Sequence, residues 1–278
     1  MWPMSFAGMQ VLSLESRRSA EIAELIRRQK GNPVAAPSMR EAPLEQNQPV
    51  FEFAERLFAG EFEMMILLTG VGTRILAKTL ATRYPPERFP ETLRAMVTVA
   101  RGPKPVAALR EWGLKPTLVA PEPNTWRELL AVTEGRAERR IALQEYGRPN
   151  PELVAALRAR GAQVTPVRVY RWELPEDTGP LREAARLLAG GQIDVALFTT
   201  SVQIDHLLAV AANEGLEEKV KQAFRRLLVA SVGPTTTEAL EEHGIPPDFE
   251  PSHPKMGVLV QETAAQAETL LQAKRSLA

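Results

Sequence analysis

Short, wholly apolar runs punctuate the chain, and between them apolar residues recur every three or four positions. MMILL at Met64 to Leu68, VALF at Val195 to Phe198 and the run from Leu227 to Ser231 have strand length and no polar face. Such runs predict strands buried on both sides. Weaker runs predict further strands over 9–14, 34–37, 96–100, 117–120, 140–143, 164–170 and 248–251. Ile22, Leu25 and Ile26, then Phe51, Ala54, Leu57 and Phe58, then Leu153, Ala156 and Leu157, keep helical spacing. Each set predicts an amphipathic helix with one buried stripe. Helices are also predicted over 70–84, 103–112, 181–189, 202–212, 217–224 and 257–274, and over 124–134 with Asn124 as its cap. Strands alternating with helices along the whole chain predict an α/β protein with parallel sheets covered on both faces. Two polar, proline-bearing breaks interrupt the pattern, one between Pro37 and Pro49 and one from Arg171 to Pro180.

The pattern is also written twice. Val99 to Pro116 reads VARGPKPVAALREWGLKP, and Ala230 to Pro247 reads ASVGPTTTEALEEHGIPP. Gly102 answers Gly233, Pro103 answers Pro234, and Gly113 answers Gly244, at a constant offset of 131 positions. LTGVGTRIL from Leu68 matches TTSVQIDHL from Thr199 at the same offset. A period this long implies two homologous domains rather than a solenoid. Leu12 to Val34, ending RRQKGNPV, resembles Ala142 to Val164, ending RARGAQV. The unit that starts the first domain therefore recurs at the end of the middle block. The expectation is a discontinuous domain of residues 1–40 and 176–278, with domain 46–168 inserted and 41–45 and 169–175 as the linking segments. Two crossings make a hinge, with a cleft between the lobes.

Composition narrows the function. The 278 residues allow two domains of ordinary size, 44% hydrophobic and 24% charged, with a formal net charge of zero. Zero net charge argues against a dedicated nucleic-acid binder. With no cysteine there are no disulfides and no thiolate chemistry, and His206, His243 and His253 are too scattered to suggest a metal site. MWPMSFAGMQ lacks a basic n-region and a long apolar core, and no apolar run reaches the length of a membrane span. The expected protein is cytoplasmic, with no membrane or nucleic-acid partner.

Ligands of open parallel sheets bind beyond the carboxyl ends of strands, near helix N-termini. Four such ends stand out: Thr69-Gly70-Val71, Arg101-Gly102-Pro103-Lys104, Thr199-Thr200-Ser201 and Gly233-Pro234-Thr235-Thr236. Each offers backbone N–H groups and a positive dipole end, which suit anions. Any one of them alone reads as a plain strand-to-helix turn; their recurrence in both domains lifts the set. Arg17, Arg18, Arg101, Lys104, Arg148 and Arg171 lie at or near these loops, which suggests a ligand with several negative groups. Gly70 and Gly72 lack the third glycine of a dinucleotide fingerprint, there is no GKS/T motif, and Thr200-Ser201 lacks a glycine-flanked elbow. Tyr146 and Tyr170 both end predicted strands.

These residues match a family. The strand-end Arg17-Arg18, LTGVG at Leu68 to Gly72 and VARGPKPVAALREWG at Val99 to Gly113 come first. LQEYGRPNPEL, RGAQVTPVRVYRWELP, FTTS at Phe198 to Ser201 and VGPTTTEALEEHG at Val232 to Gly244 follow in order. Together they resemble uroporphyrinogen-III synthase of tetrapyrrole biosynthesis over nearly the full length. The resemblance implies two flavodoxin-like lobes joined by a two-stranded linker. It also implies a cofactor-independent, monomeric lyase that cyclises hydroxymethylbilane, a linear tetrapyrrole, with inversion of ring D. Tyr170 then aligns with the tyrosine that assists hydroxide departure. Arg17, Arg18, Thr69, Gly70, Val71, Arg101, Gly102, Lys104, Tyr146, Thr200, Ser201, Gly233, Thr235 and Thr236 become candidate substrate contacts. The rival class is a non-catalytic bilobal sensor for a small polyanion, but no DNA-binding helix pair is evident. A two-lobe sugar-nucleotide transferase would want a nucleotide site that the sequence does not contain.

Overall fold

In the computed structural model, residues 5–43, 48–145, 147 and 149–277 are described. The chain begins with β1 (Gln10–Ser13), α1 (Ser19–Arg28), β2 (Asn32–Ala35) and β3 (Arg40–Pro43). Then come α2 (Gln48–Phe58), β4 (Met64–Leu67), α3 (Gly70–Leu80), α4 (Arg88–Arg94), β5 (Val97–Ala100), α5 (Pro103–Arg110) and β6 (Leu118–Val119). They lead to α6 (Trp126–Val132), β7 (Arg140–Gln144), α7 (Pro151–Ala159), β8 (Gln163–Val167) and β9 (Tyr170–Glu173). Last in order are α8 (Gly179–Ala189), β10 (Val195–Phe198), α9 (Val202–Asn213), α10 (Glu217–Ala223), β11 (Leu228–Ser231), α11 (Pro234–Glu242) and α12 (Met256–Leu277).

The chain divides into two compact units. One combines Met1–Arg40 with Glu173–Ala278, and the other is the continuous segment Glu41–Trp172. In the first unit the strand order is β11-β10-β1-β2, with every pair parallel, and a parallel bridge from Ala230 to Phe249 extends the β11 edge. In the second the order is β6-β5-β4-β7-β8, again all parallel. β3 and β9 form a separate two-stranded pair. The α/β class with parallel sheets is as the alternation of apolar runs predicts.

Both sheets are sandwiches because successive side chains of a strand point to opposite faces. In β10, Ala196 and Phe198 pack with α8 and α9, whereas Val195 and Leu197 pack with α1 and α12. In β4, Met65 and Leu67 face α2 and α3, whereas Met64 and Ile66 face α6 and α7. All four residues of each strand are buried. This accounts for their unbroken apolar sequence, since each fully buried Leu or Ile side chain stabilises by about 1.5–3 kcal/mol.

The two sheets share one spatial order written in two chain orders. Met64↔Val97 pairing in the second unit corresponds to Val195↔Leu228 in the first, both residues displaced by the sequence offset. Ile141↔Met64 likewise corresponds to Val11↔Val195. The pair β1–β2 comes first in its unit, and its counterpart β7–β8 comes last. The units are circular permutations of one another.

Several local expectations change. α4 was not anticipated, because its seven residues RFPETLR contain proline and too few apolar positions to show a period. The strand predicted over 164–170 divides into β8 and β9, and that over 248–251 reduces to the bridge at Phe249. Asn124 does not cap α6. Thr125 does, accepting from Arg127 N–H at 3.1 Å while the Glu128 carboxylate accepts from Thr125 N–H at 2.8 Å. Asn124 sits one residue earlier in a left-handed conformation (φ 62°).

Glu63, just before β4, ties β4 to β7. Its carboxylate accepts from the N–H groups of Arg139 (2.8 Å) and Arg140 (3.0 Å) and from the Arg140 guanidinium (3.1 Å). These backbone donors hold the carboxyl below its ordinary value of 4.5. A depressed folded-state value contributes stability above the unfolded pKa, and that contribution is lost as pH falls through the folded one. Glu63→Gln should therefore lower stability at neutral pH, with the deficit against wild type shrinking as the pH falls through and below the carboxyl's ordinary 4.5. Urea unfolding across that range checks it; a pH-independent deficit would contradict the assignment.

Candidate functional site

In the second unit the carboxyl ends of β4 and β5 meet. Thr69 caps α3 in an extended conformation, its hydroxyl accepting Gly72 N–H at 2.9 Å. Its carbonyl accepts the Thr73 hydroxyl at 2.7 Å, and its own N–H donates to Gln144 Oε1 at 3.2 Å. Gln144 is the last residue of β7, wholly buried, and also donates to the Glu145 carbonyl. Its amide occupies the space that a Cβ on Gly72 would need. A Cβ on Gly70 would collide with the Lys104 carbonyl oxygen, so the first turns of α3 and α5 approach each other backbone to backbone. Gly102 caps α5, and the carbonyl of Arg101 accepts from the Asn124 carboxamide at 3.0 Å. Arg101 and Val71 are half-buried and Lys104 is exposed.

Tyr170 opens β9 with its side chain wholly buried among α2, α3 and α5 residues, its ring edge-on to Trp172 at 5.3 Å. Its hydroxyl stands 3.4 Å from Thr69 Oγ1. Thr69, Gly70, Gly102, Lys104 and Tyr170, far apart in the sequence, thus form one cluster. Tyr146 and Arg148 lie outside the described residues.

In the first unit the corresponding turn follows β10. Gln203 Oε1 accepts from Thr199 N–H (2.7 Å) and Thr200 N–H (3.2 Å), and the Thr199 hydroxyl donates to Glu15 at 2.6 Å. Thr200 is half-buried and Ser201 buried. Gly233 caps α11, with Thr235 half-buried and Thr236 buried in its first turn. Arg17 and Arg18 are exposed beyond β1. Arg18 is committed to its own helix: its guanidinium binds Glu21 through both Nε and Nη2, and holds that carboxyl below its ordinary value. Among the described residues no group of three acidic or histidine side chains could hold a metal, and no helix is long and apolar enough to cross a membrane.

Gln144, Gln203, Glu15 and Asn124 organise these turns, and none was singled out in the sequence as doing so. Arg168, after β8, joins them by pairing at 3.3 Å with the buried Glu145. The signal was present for Gln144 and Glu145, polar residues that follow the apolar run IAL of β7 without a turn residue between. Gln144→Leu keeps the volume but strands the Thr69 N–H. It should cost about 1–3 kcal/mol, read by chemical unfolding; a cost near zero would mean the amide is not holding the turn.

A family model described as uroporphyrinogen-III synthase HemD matches residues 20–261. The chain belongs to the uroporphyrinogen-III synthase family. A putative uroporphyrinogen-III synthase of Methanothermobacter thermautotrophicus is 31% identical over 232 residues, 82% of this chain and 87% of that protein. The uncharacterized protein YjjA of Bacillus subtilis is 30% identical over 265 residues, 94% of this chain and 97% of that one. Among solved structures, a triple mutant of the uroporphyrinogen III synthase from Thermus thermophilus superposes with a TM-score of 0.70 at 27% identity. That match covers 96% of this chain and 100% of that one. The wild-type Thermus enzyme in a second crystal form gives 0.55 at 26% identity, covering 98% and 100%. Membership of this family makes the chain an enzyme of tetrapyrrole biosynthesis by kinship.

Proposed function

We propose that the chain is a uroporphyrinogen-III synthase, a lyase that closes hydroxymethylbilane with loss of water and inversion of ring D. The substrate is proposed to sit between the two units, bound by a cytoplasmic monomer without a cofactor. The observation that carries this reading is the recurrence, in each unit, of two neighbouring strand ends that run into helix N-termini: α3 and α5 in one, α9 and α11 in the other. Each N-terminus presents about half a positive charge, and the proline-free first turns of α3 and α9 add backbone N–H groups. A linear tetrapyrrole bearing eight carboxylates is the kind of anion such ends receive.

Departure of the terminal hydroxyl gives an azafulvene that the electron-rich pyrroles stabilise by themselves. Closure without a protein joins the nearest carbon. The enzyme's task is to hold ring D so that its substituted carbon attacks, giving a spiro intermediate that fragments and recloses. Orientation of this kind supplies roughly 7–11 kcal/mol, so little acid–base machinery is required. Tyr170 is the proposed source of the proton that leaves with the hydroxyl. Incubating the chain with freshly generated hydroxymethylbilane and resolving the porphyrinogen isomers tests the reading. Type III product is expected, and type I alone refutes it.

A further inference from the structure

We propose that Thr69 is the group that hands the proton to the departing hydroxyl, and that Tyr170 acts only through it. The inference rests on the functional reading above. Tyr170 is wholly enclosed, whereas Thr69 is half-buried at the N-terminus of α3, with the two hydroxyls 3.4 Å apart. A threonine hydroxyl has one proton and two lone pairs. One lone pair accepts Gly72 N–H. With the phenol donating to the other, the threonine proton is left to point at a third atom. The rest of Thr69 is fixed: Gln144 takes its N–H and Thr73 its carbonyl. The long separation suits a resting enzyme, since such bonds tighten when the reacting complex forms.

The step balances as follows. The substrate's C–O bond breaks as the adjacent pyrrole nitrogen, keeping its N–H, pushes in its electron pair to form an azafulvenium cation. The leaving oxygen takes the Thr69 proton and departs as water. Thr69 takes the Tyr170 proton, leaving a phenolate near the N-terminus of α3, whose dipole favours negative charge. When the attacked pyrrole regains aromaticity at closure it releases a proton, which returns to Tyr170 by the same route. No oxidant, metal or further reactant is needed.

The test uses the full chain with freshly generated hydroxymethylbilane and reads the rate of type III formation. Thr69→Val should fall to the level of Tyr170→Phe, and the double variant should fall no further, because both break one relay. Thr69→Asn keeps a capping acceptor but has no hydroxyl. It should retain the wild-type melting temperature and lose as much activity as Thr69→Val, while Thr69→Ser recovers most of the loss. An undiminished effect of Tyr170→Phe in the Thr69→Val background overturns the relay, as does an active Thr69→Asn. Absence of type III product from the wild-type chain removes the functional reading and the relay together. Type III product from wild type without this pattern in the variants removes the relay alone.

Discussion

Tyr170→Phe is expected to lower type III product formation by roughly 10²–10⁴-fold, the range in which a positioned acid contributes, while the protein stays folded. The separation of the two effects follows from where the side chain sits. Its ring fills the core beneath α3 and packs edge-on against Trp172, contacts that phenylalanine keeps. Only the hydroxyl is lost. Thr69 retains Gly72 N–H as a donor, so the cost of the missing bond is about 0.5–1.5 kcal/mol. Tyr170→Ala would be uninformative, because emptying an aromatic site costs about 3–5 kcal/mol and confounds fold with chemistry. Near-normal type III production by Tyr170→Phe, measured on a variant whose melting temperature matches wild type, would remove the tyrosine from the reaction.

Gly70→Ala should be the more damaging change to the fold. Alanine is the better helix former by about 1 kcal/mol, so propensity alone predicts a gain. The added methyl, however, runs into the Lys104 carbonyl oxygen, and both partners are backbone that no rotamer change can clear. The helices α3 and α5 must move apart, and overpacking of this kind costs about 1–3 kcal/mol, outweighing the propensity gain. A fall in melting temperature of several degrees is expected, together with loss of activity, since the same shift displaces Thr69 and the α5 N-terminus. A variant as stable as wild type would show that the two turns have more slack than their contact implies.

What the sequence makes legible is what is local or repeated. The runs MMIL and VALF become β4 and β10 because a strand covered on both faces has no polar position to conceal it, and VTVA and LVAS become β5 and β11 with one buried hydroxyl each, Thr98 and Ser231. The duplication survives as matched strand registers. Gly-Pro turns announce α5 and α11 because proline fixes the first helical turn. The polar strands β3 (REAP) and β9 (YRWE) carry no apolar run of their own, and two linker strands are expected there only from the resemblance and the duplicated order, not from either segment. The same holds for the groups that hold the turns. Thr69 meets Gln144 from another strand, Arg101 meets Asn124 from a loop, and Thr199 meets Glu15 from the far end of the chain. Sequence locates a turn; only the fold reveals which distant amide or carboxylate closes it.

The permuted order of the two sheets bears on how the chain is made. The second unit is one continuous segment and can fold once it has left the ribosome. The first cannot. Val11 of β1, buried in the finished sheet, waits for Val195 of β10, and the two are 184 residues apart. At about 5–20 residues per second of synthesis, β1, α1 and β2 stand for roughly 10–40 s with one edge and much apolar surface uncovered, while their neighbour completes itself. Nascent chains halted after Trp172 should therefore carry a folded second unit behind an N-terminal segment that recruits chaperones.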